Sequence, residues 1–202
     1  MLDQYARPLI DPPLNAAGKV LAKSGFTANG VTLIGLCLGL FSAVLIAAQL
    51  PSIALVFVLA SRVADGLDGA IARATRKTDF GGYLDITADF LFYGAVPAAF
   101  VFADPESNGA AGAFLLTAFY FNGASFLGYA LLAEKRGDTS DAQGQKSLYY
   151  SNGLLEGTET IVFFALLCIF PQHFALLSYI FGGLCFVTAV LRLSAAKKIY
   201  TD

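Results

Sequence analysis

Asp65, Asp68, Asp85 and Asp89 stand inside or against runs that otherwise read as membrane. Residues three or four apart share one face of a helix, so Asp65 points with Asp68 and Asp85 with Asp89. Between the two pairs runs a basic connector with Arg73, Arg76 and Lys77, just long enough to turn the chain back. Two antiparallel helix ends would then converge four carboxylates on one small volume. Uncompensated, these charges repel one another and cannot all stay ionised. Hard oxygen ligands at this density call for divalent cations such as Mg2+, Mn2+ or Ca2+. Gly66 and Gly69 leave bare backbone on the same helix, where a phosphate-bearing ligand can approach closely.

Composition sets the surroundings of these acids. Of 202 residues, 56% are hydrophobic and only 14% charged, against about 25% charged in soluble domains. The expectation is a single all-α integral membrane domain over residues 1–202, and the net charge of −2 gives no basic excess to mark a nucleic-acid partner. Cys37, Cys168 and Cys185 lie in apolar runs without CxxC spacing and read as packing residues. The first thirty residues mix Asp3, Arg7, Asp11, Lys19 and Lys23 with apolar positions, unlike a cleavable signal peptide.

Residues 1–25 are amphipathic and broken by Pro8, Pro12 and Pro13, which predicts a helix on the membrane surface that enters the bilayer after Thr27. Six spans follow, at about 30–50, 52–75, 82–103, 110–133, 154–170 and 174–195. The second is purely apolar only over 53–60; its polar groups must face protein, water or ligand. Gly35 and Gly39 permit close helix packing in the first span. The polar segment 134–153 reads as a loop, and Glu156 and Glu159 open the fifth span. The predicted turns at Pro51, Asp104 and His173 contain no Lys or Arg, although the chain has 13. The positive-inside rule then places both termini, the acids and the 134–153 loop in the cytoplasm, and His173 on the opposite side.

The acid stretch resembles the signature of the CDP-alcohol phosphotransferases, Asp-x2-Asp-Gly-x2-Ala-Arg, a spacer, then Gly-x3-Asp-x3-Asp. Here it reads Asp65, Asp68, Gly69, Ala72, Arg73, then Gly81, Asp85 and Asp89, with a spacer shorter than the family's usual one. The run from Thr27 to Thr32 is similar to the opening of that family's first membrane helix, with Ala28 in place of proline. Capping of the helix is the plainer reading of that run. The resemblance implies six helices around a cytoplasm-facing polar cavity, usually in a homodimer, in a small bacterial inner-membrane protein. It implies two divalent cations, Mg2+ or Mn2+, held by Asp65, Asp68, Asp85 and Asp89. The cytidine diphosphate group would lie against Asn29, Thr32, Asp65, Gly66, Asp68, Gly69, Ala72, Arg73 and Gly81, with Gly69 and Arg73 in contact.

Carboxylates at interface depth suit a reaction joining a lipid to a soluble group. Bound cations would neutralise a pyrophosphate and the leaving group. The acceptor hydroxyl needs a base, and Asp89, deepest along the third span, is the candidate; the resemblance assigns the family's fourth acid the same role. The acceptor itself stays open. Lys135, Arg136, Lys146 and Arg192 would suit a phosphorylated alcohol, whereas Glu156 and Glu159 favour a neutral polyol or an amino-alcohol. The run 153–157 is similar to Gly-x-x-Glu-Gly of eukaryotic choline and ethanolamine phosphotransferases. The leading expectation is phosphatidyl transfer from CDP-diacylglycerol to a small alcohol, with release of CMP. Transfer of a phosphoalcohol from a soluble CDP-alcohol to diacylglycerol and divalent-cation transport are the alternatives.

Overall fold

Threonine starts the helices at one end of the molecule and proline starts them at the other. The computed structural model describes residues 3–137, 155 and 157–200, with side chains from residue 7. Among these the chain forms α1 (Asp3–Lys23), α2 (Ala28–Ala47), α3 (Pro51–Ala74), α4 (Asp79–Ala103), α5 (Pro105–Lys135), α6 (Gly157–Ile169), a 3-10 turn (Pro171–His173) and α7 (Phe174–Tyr200), with no strand. Thr27 caps α2 by accepting from the Gly30 N–H, and Thr78 caps α4 by accepting from the Gly81 N–H. At the opposite end Pro51, Pro105 and Pro171 take the first position of α3, α5 and the 3-10 turn, where the missing N–H removes no helical bond. The Thr78 cap explains why α4 begins at Asp79, three residues before the expected 82.

The prolines expected to interrupt the N-terminal segment do not. α1 is continuous through Pro8, Pro12 and Pro13. All three lie on its exposed side, where their rings crowd no packed neighbour.

α2, α4, α5 and the segment from Pro171 through α7 are long and apolar enough to cross a membrane. α3, with 24 residues, reaches about 36 Å at 1.5 Å per residue, but Arg62, Asp65, Asp68 and Arg73 lower its hydropathy. The described part of α6 has 13 residues. Leu33, Ile34, Val44, Val56, Val63, Ile180, Val187 and Leu191 all point outward. A protein covered by such side chains needs lipid around it, so the fold is an integral membrane helix bundle.

The main core is centred in the half with the proline-started turns. It joins Ile46, Val58, Phe92, Val96, Phe100, Leu115, Phe163, Phe164, Leu167, Phe174 and Phe181. Phe163 and Phe181 stack at 4.1 Å, and Phe164 meets Phe92 edge-on at 5.6 Å. A smaller cluster of Val31, Ala64 and Ile71, with Leu21, Ala22 and Leu67 against it, ties α1 to α2 and α3 at the other end.

Candidate active site

α2, α3 and α4 pack together and carry the site between them. Their close approach depends on glycine. A Cβ on Gly39 would stand 2.6 Å from the Phe92 ring, and one on Gly35 3.1 Å from the Ala64 Cβ. The Ser61 hydroxyl donates to the Gly35 carbonyl at 2.7 Å. The expectation that this glycine pair permits close packing holds, and it draws α3 and α4 onto the opening turns of α2.

Within that trio, Asp65, Asp68 and Asp85 each bring a carboxylate oxygen to within 4.8 Å of the others. Asp68 is the buried member, with 5% of its surface exposed. The Thr32 hydroxyl reaches its Oδ2 at 2.5 Å, so Thr32 orients this acid. Three carboxylates on two helix ends form a set that fits a divalent cation.

Asp89 borders that trio and shares Arg62 with Asp65. Its Oδ1 accepts from Arg62 Nη1 at 2.6 Å, and the Tyr93 hydroxyl lies 3.5 Å from its Oδ2. The same Arg62 nitrogen is 3.5 Å from Asp65 Oδ1. The structure therefore gathers three of the four expected ligands and gives the fourth to an arginine. Arg62 went unnoticed in the sequence, where it reads as one more polar residue of the second span. The available signal was its place three residues before Asp65, on the same helix face.

Other expected positions divide. Gly66 does not offer bare backbone to a ligand: a Cβ there would meet Leu14 Cδ1 of α1 at 2.6 Å, so its smallness serves helix packing. Gly69 differs, since its open side faces the Arg73 guanidinium, 3.2 Å from where a Cβ would stand. Arg73 is exposed, and its Nε and Nη2 both donate to Asn15 Oδ1, at 3.1 and 2.9 Å. Asn15 is a second residue that the sequence reading missed. Gly81 lies beside Asn29, whose Oδ1 would be 3.1 Å from a Cβ at that position. Ala72 is half-buried on α3.

The expected acceptor residues are placed less fully. Lys146 and Glu156 fall outside the described residues, and Glu159 is half-buried in the first turn of α6. Arg192 is buried against α5, where its Nη1 donates to the Asn122 carbonyl, Asn122 Oδ1 and Ser125 Oγ. Lys135 and Arg136 are exposed at the end of α5. His173 is exposed in the 3-10 turn, in the half away from the acids.

An acid cluster at one end of an apolar helix bundle marks a membrane protein with ligands for a divalent cation. The sequence profile of the CDP-alcohol phosphatidyltransferases matches residues 26–191, and the chain belongs to that family of enzymes, which transfer phosphatidyl groups. It is 47% identical over 192 residues to the inner membrane protein YnjF of Escherichia coli K12, covering 95% of this chain and 93% of that protein. It is 41% identical over 86 residues to the archaetidylinositol phosphate synthase of Pyrococcus horikoshii, covering 42% of this chain and 46% of that one. Its fold is shared with the Mycobacterium tuberculosis phosphatidylinositol phosphate synthase PgsA1 crystallised with CDP-DAG bound. There the TM-score is 0.67 at 20% identity, over 91% of this chain and 93% of that one. The same enzyme in complex with manganese and citrate superposes with a TM-score of 0.64, also at 20% identity, over 90% of this chain and 87% of that one.

Proposed function

We propose that this protein transfers the phosphatidyl group of CDP-diacylglycerol to the hydroxyl of a small alcohol, releasing CMP. The observation that carries the reading is the convergence of Asp65, Asp68 and Asp85 at one end of the bundle, with Thr32 orienting the buried member. These three acids would hold a divalent cation, Mg2+ or Mn2+, which when bound neutralises the pyrophosphate of the donor and the departing CMP. Asp89 would complete the site for a second cation through Oδ2, the oxygen that Arg62 does not hold. Arg73, held by Asn15, meets the donor's phosphate oxygens with a guanidinium suited to two-pronged contact. Gly69 leaves the room for that approach, and Gly81 and Asn29 close the far side. Asp89 accepts the acceptor's proton. The acceptor oxygen forms its bond to the β-phosphorus of the donor as the bond from that phosphorus to CMP breaks.

The acid end is assigned to the cytoplasm on the charge asymmetry of the chain, where nucleotide-activated lipid headgroups and soluble alcohols are both available. The six helices α2 to α7 are read as six spans, α1 as the interfacial helix, and the assembly, on family resemblance, as a homodimer. Transport is disfavoured because the half of the bundle opposite the acids is filled by aromatic packing, with no carboxylate in its core among the described residues.

The test is CMP release from purified protein given CDP-diacylglycerol, Mn2+ and, in turn, a neutral polyol, an amino-alcohol and a phosphorylated polyol. One class should give CMP and a new phospholipid in equal amounts. CMP formation only from a soluble CDP-alcohol with diacylglycerol would reverse the assignment of the lipid substrate.

A further inference from the structure

Arg62 is more than a counter-charge lost among acids. It lies on α3 one turn from Asp65, on the side away from the connector, and Asp89 lies one turn from Asp85 in the same direction along α4. The two residues therefore meet at the floor of the acid site. Arg62 is held there on three sides. Its Nη1 donates to Asp89, its Nη2 to Ser61 Oγ at 3.1 Å, and its guanidinium lies over the Phe92 ring, 4.1 Å from the centroid. The Phe92 ring is itself fixed against Gly39 and Phe164. The Arg62 side chain is 8% exposed, and its Nε has no partner among the described residues. Only the two terminal nitrogens and the ring face hold it. A planar guanidinium can satisfy this geometry, whereas a lysine ammonium has neither the fork nor the flat face.

We infer that Arg62 is the positioning residue for Asp89: it holds one oxygen of this carboxylate at the edge of the acid cluster and aims the other at the acceptor hydroxyl. This rests on the reading of Asp89 as the proton acceptor. Removing Arg62 from beside four acids has two separable consequences. Asp89 loses its orientation, which slows transfer. The acid cluster also gains net negative charge and a free carboxylate, which tightens cation binding. Damage to the fold would weaken cation binding instead.

The experiment uses the full chain in lipid nanodiscs, with Arg62→Lys, Arg62→Met, Asp89→Asn and the double variant Arg62→Met/Asp89→Asn. CMP release gives kcat and KM for CDP-diacylglycerol, and Mn2+ titration followed by electron paramagnetic resonance gives cation affinity without turnover. Arg62→Met should lower kcat about 10–100-fold, as loss of an orienting partner does, with KM little changed, and should bind Mn2+ on the order of tenfold more tightly. Arg62→Lys should recover only part of the rate. In the Asp89→Asn background the Arg62→Met change should cost little more, because the two residues act as one unit. If Arg62→Met alone does not fold, the double variant, which removes both charges, is compared with Asp89→Asn and decides the question together with Arg62→Lys. Full turnover in Arg62→Lys, weaker Mn2+ binding in Arg62→Met, or an equal loss in both backgrounds would overturn the inference. A wild-type protein that releases no CMP with any acceptor would refute the functional reading, and the aiming of Asp89 at an acceptor with it; the Mn2+ affinities would then still decide whether Arg62 restrains the acid cluster.

Discussion

The two halves of this bundle are built on opposite terms. In the half with the proline-started turns, Phe163, Phe164, Phe174 and Phe181 fill the centre with rings that pack on one another. In the other half, carboxylates stand within a few ångströms of one another, held by Thr32 and Arg62. Phe92 is where the halves meet: one face of its ring carries Arg62 and its edge region packs on Phe164. The difference separates stability from function. The aromatic half holds the helices at fixed spacing, so the acid half can keep a repelling arrangement that would otherwise splay α3 from α4.

Changes at the acid end should therefore hurt activity far more than folding. The largest effect is expected from Asp68→Asn, which removes the buried cluster member: Mn2+ binding should be lost, and CMP release should fall by at least the range for a lost general base, about 10²–10⁴-fold. Asp89→Asn should fall within that same range yet keep its affinity for CDP-diacylglycerol and Mn2+. Equal loss of affinity in both variants would make Asp89 a cation ligand and blur the division of roles.

At the apolar end the pattern should invert. Phe164→Ala opens a cavity between Phe92 and Phe163 and should cost about 3–5 kcal/mol, read as a lower melting temperature in detergent, with Mn2+ affinity nearly unchanged. Asp85→Asn gives the complementary result. It relieves repulsion, so the cation-free protein should gain on the order of 0.5–2 kcal/mol while losing turnover. A loss of stability in Asp85→Asn would show that the acid half supports the fold after all. The smallest effect is expected at α1: Asn15→Ala releases Arg73 and should raise KM for the donor by about 3–10-fold, in line with the loss of an exposed hydrogen bond to a charged group, without changing the melting temperature.

Much of this division was legible in the sequence. Apolar runs placed the helices, and the three- and four-residue spacings put Asp65 with Asp68 on one helix and Asp85 with Asp89 on the next, because both follow from helical periodicity alone. What escaped depended on which face meets which neighbour. The opening at Gly66 goes to Leu14, and Arg73 goes to Asn15, because α1 lies along α3; nothing in the periodicity of either helix fixes that azimuth. Arg62 escaped because a cation in a span is first read as a topology marker, and its partner Asp89 lies 27 positions away on another helix. Pro8, Pro12 and Pro13 misled because prolines on the exposed side of a helix, as all three are here, need not end it. The acceptor stayed open in the sequence since its candidate residues, Lys146, Glu156, Glu159 and Arg192, are spread over a polar segment and two helices with no shared spacing.

The central claim is that the acid half works only with its charge balanced by divalent cations. Its most direct test is the rate of CMP release from CDP-diacylglycerol by the purified wild-type protein, first in EDTA and then with Mg2+ or Mn2+ restored. The account predicts no turnover in chelator and full recovery on adding either cation in excess. Undiminished turnover in EDTA would contradict it.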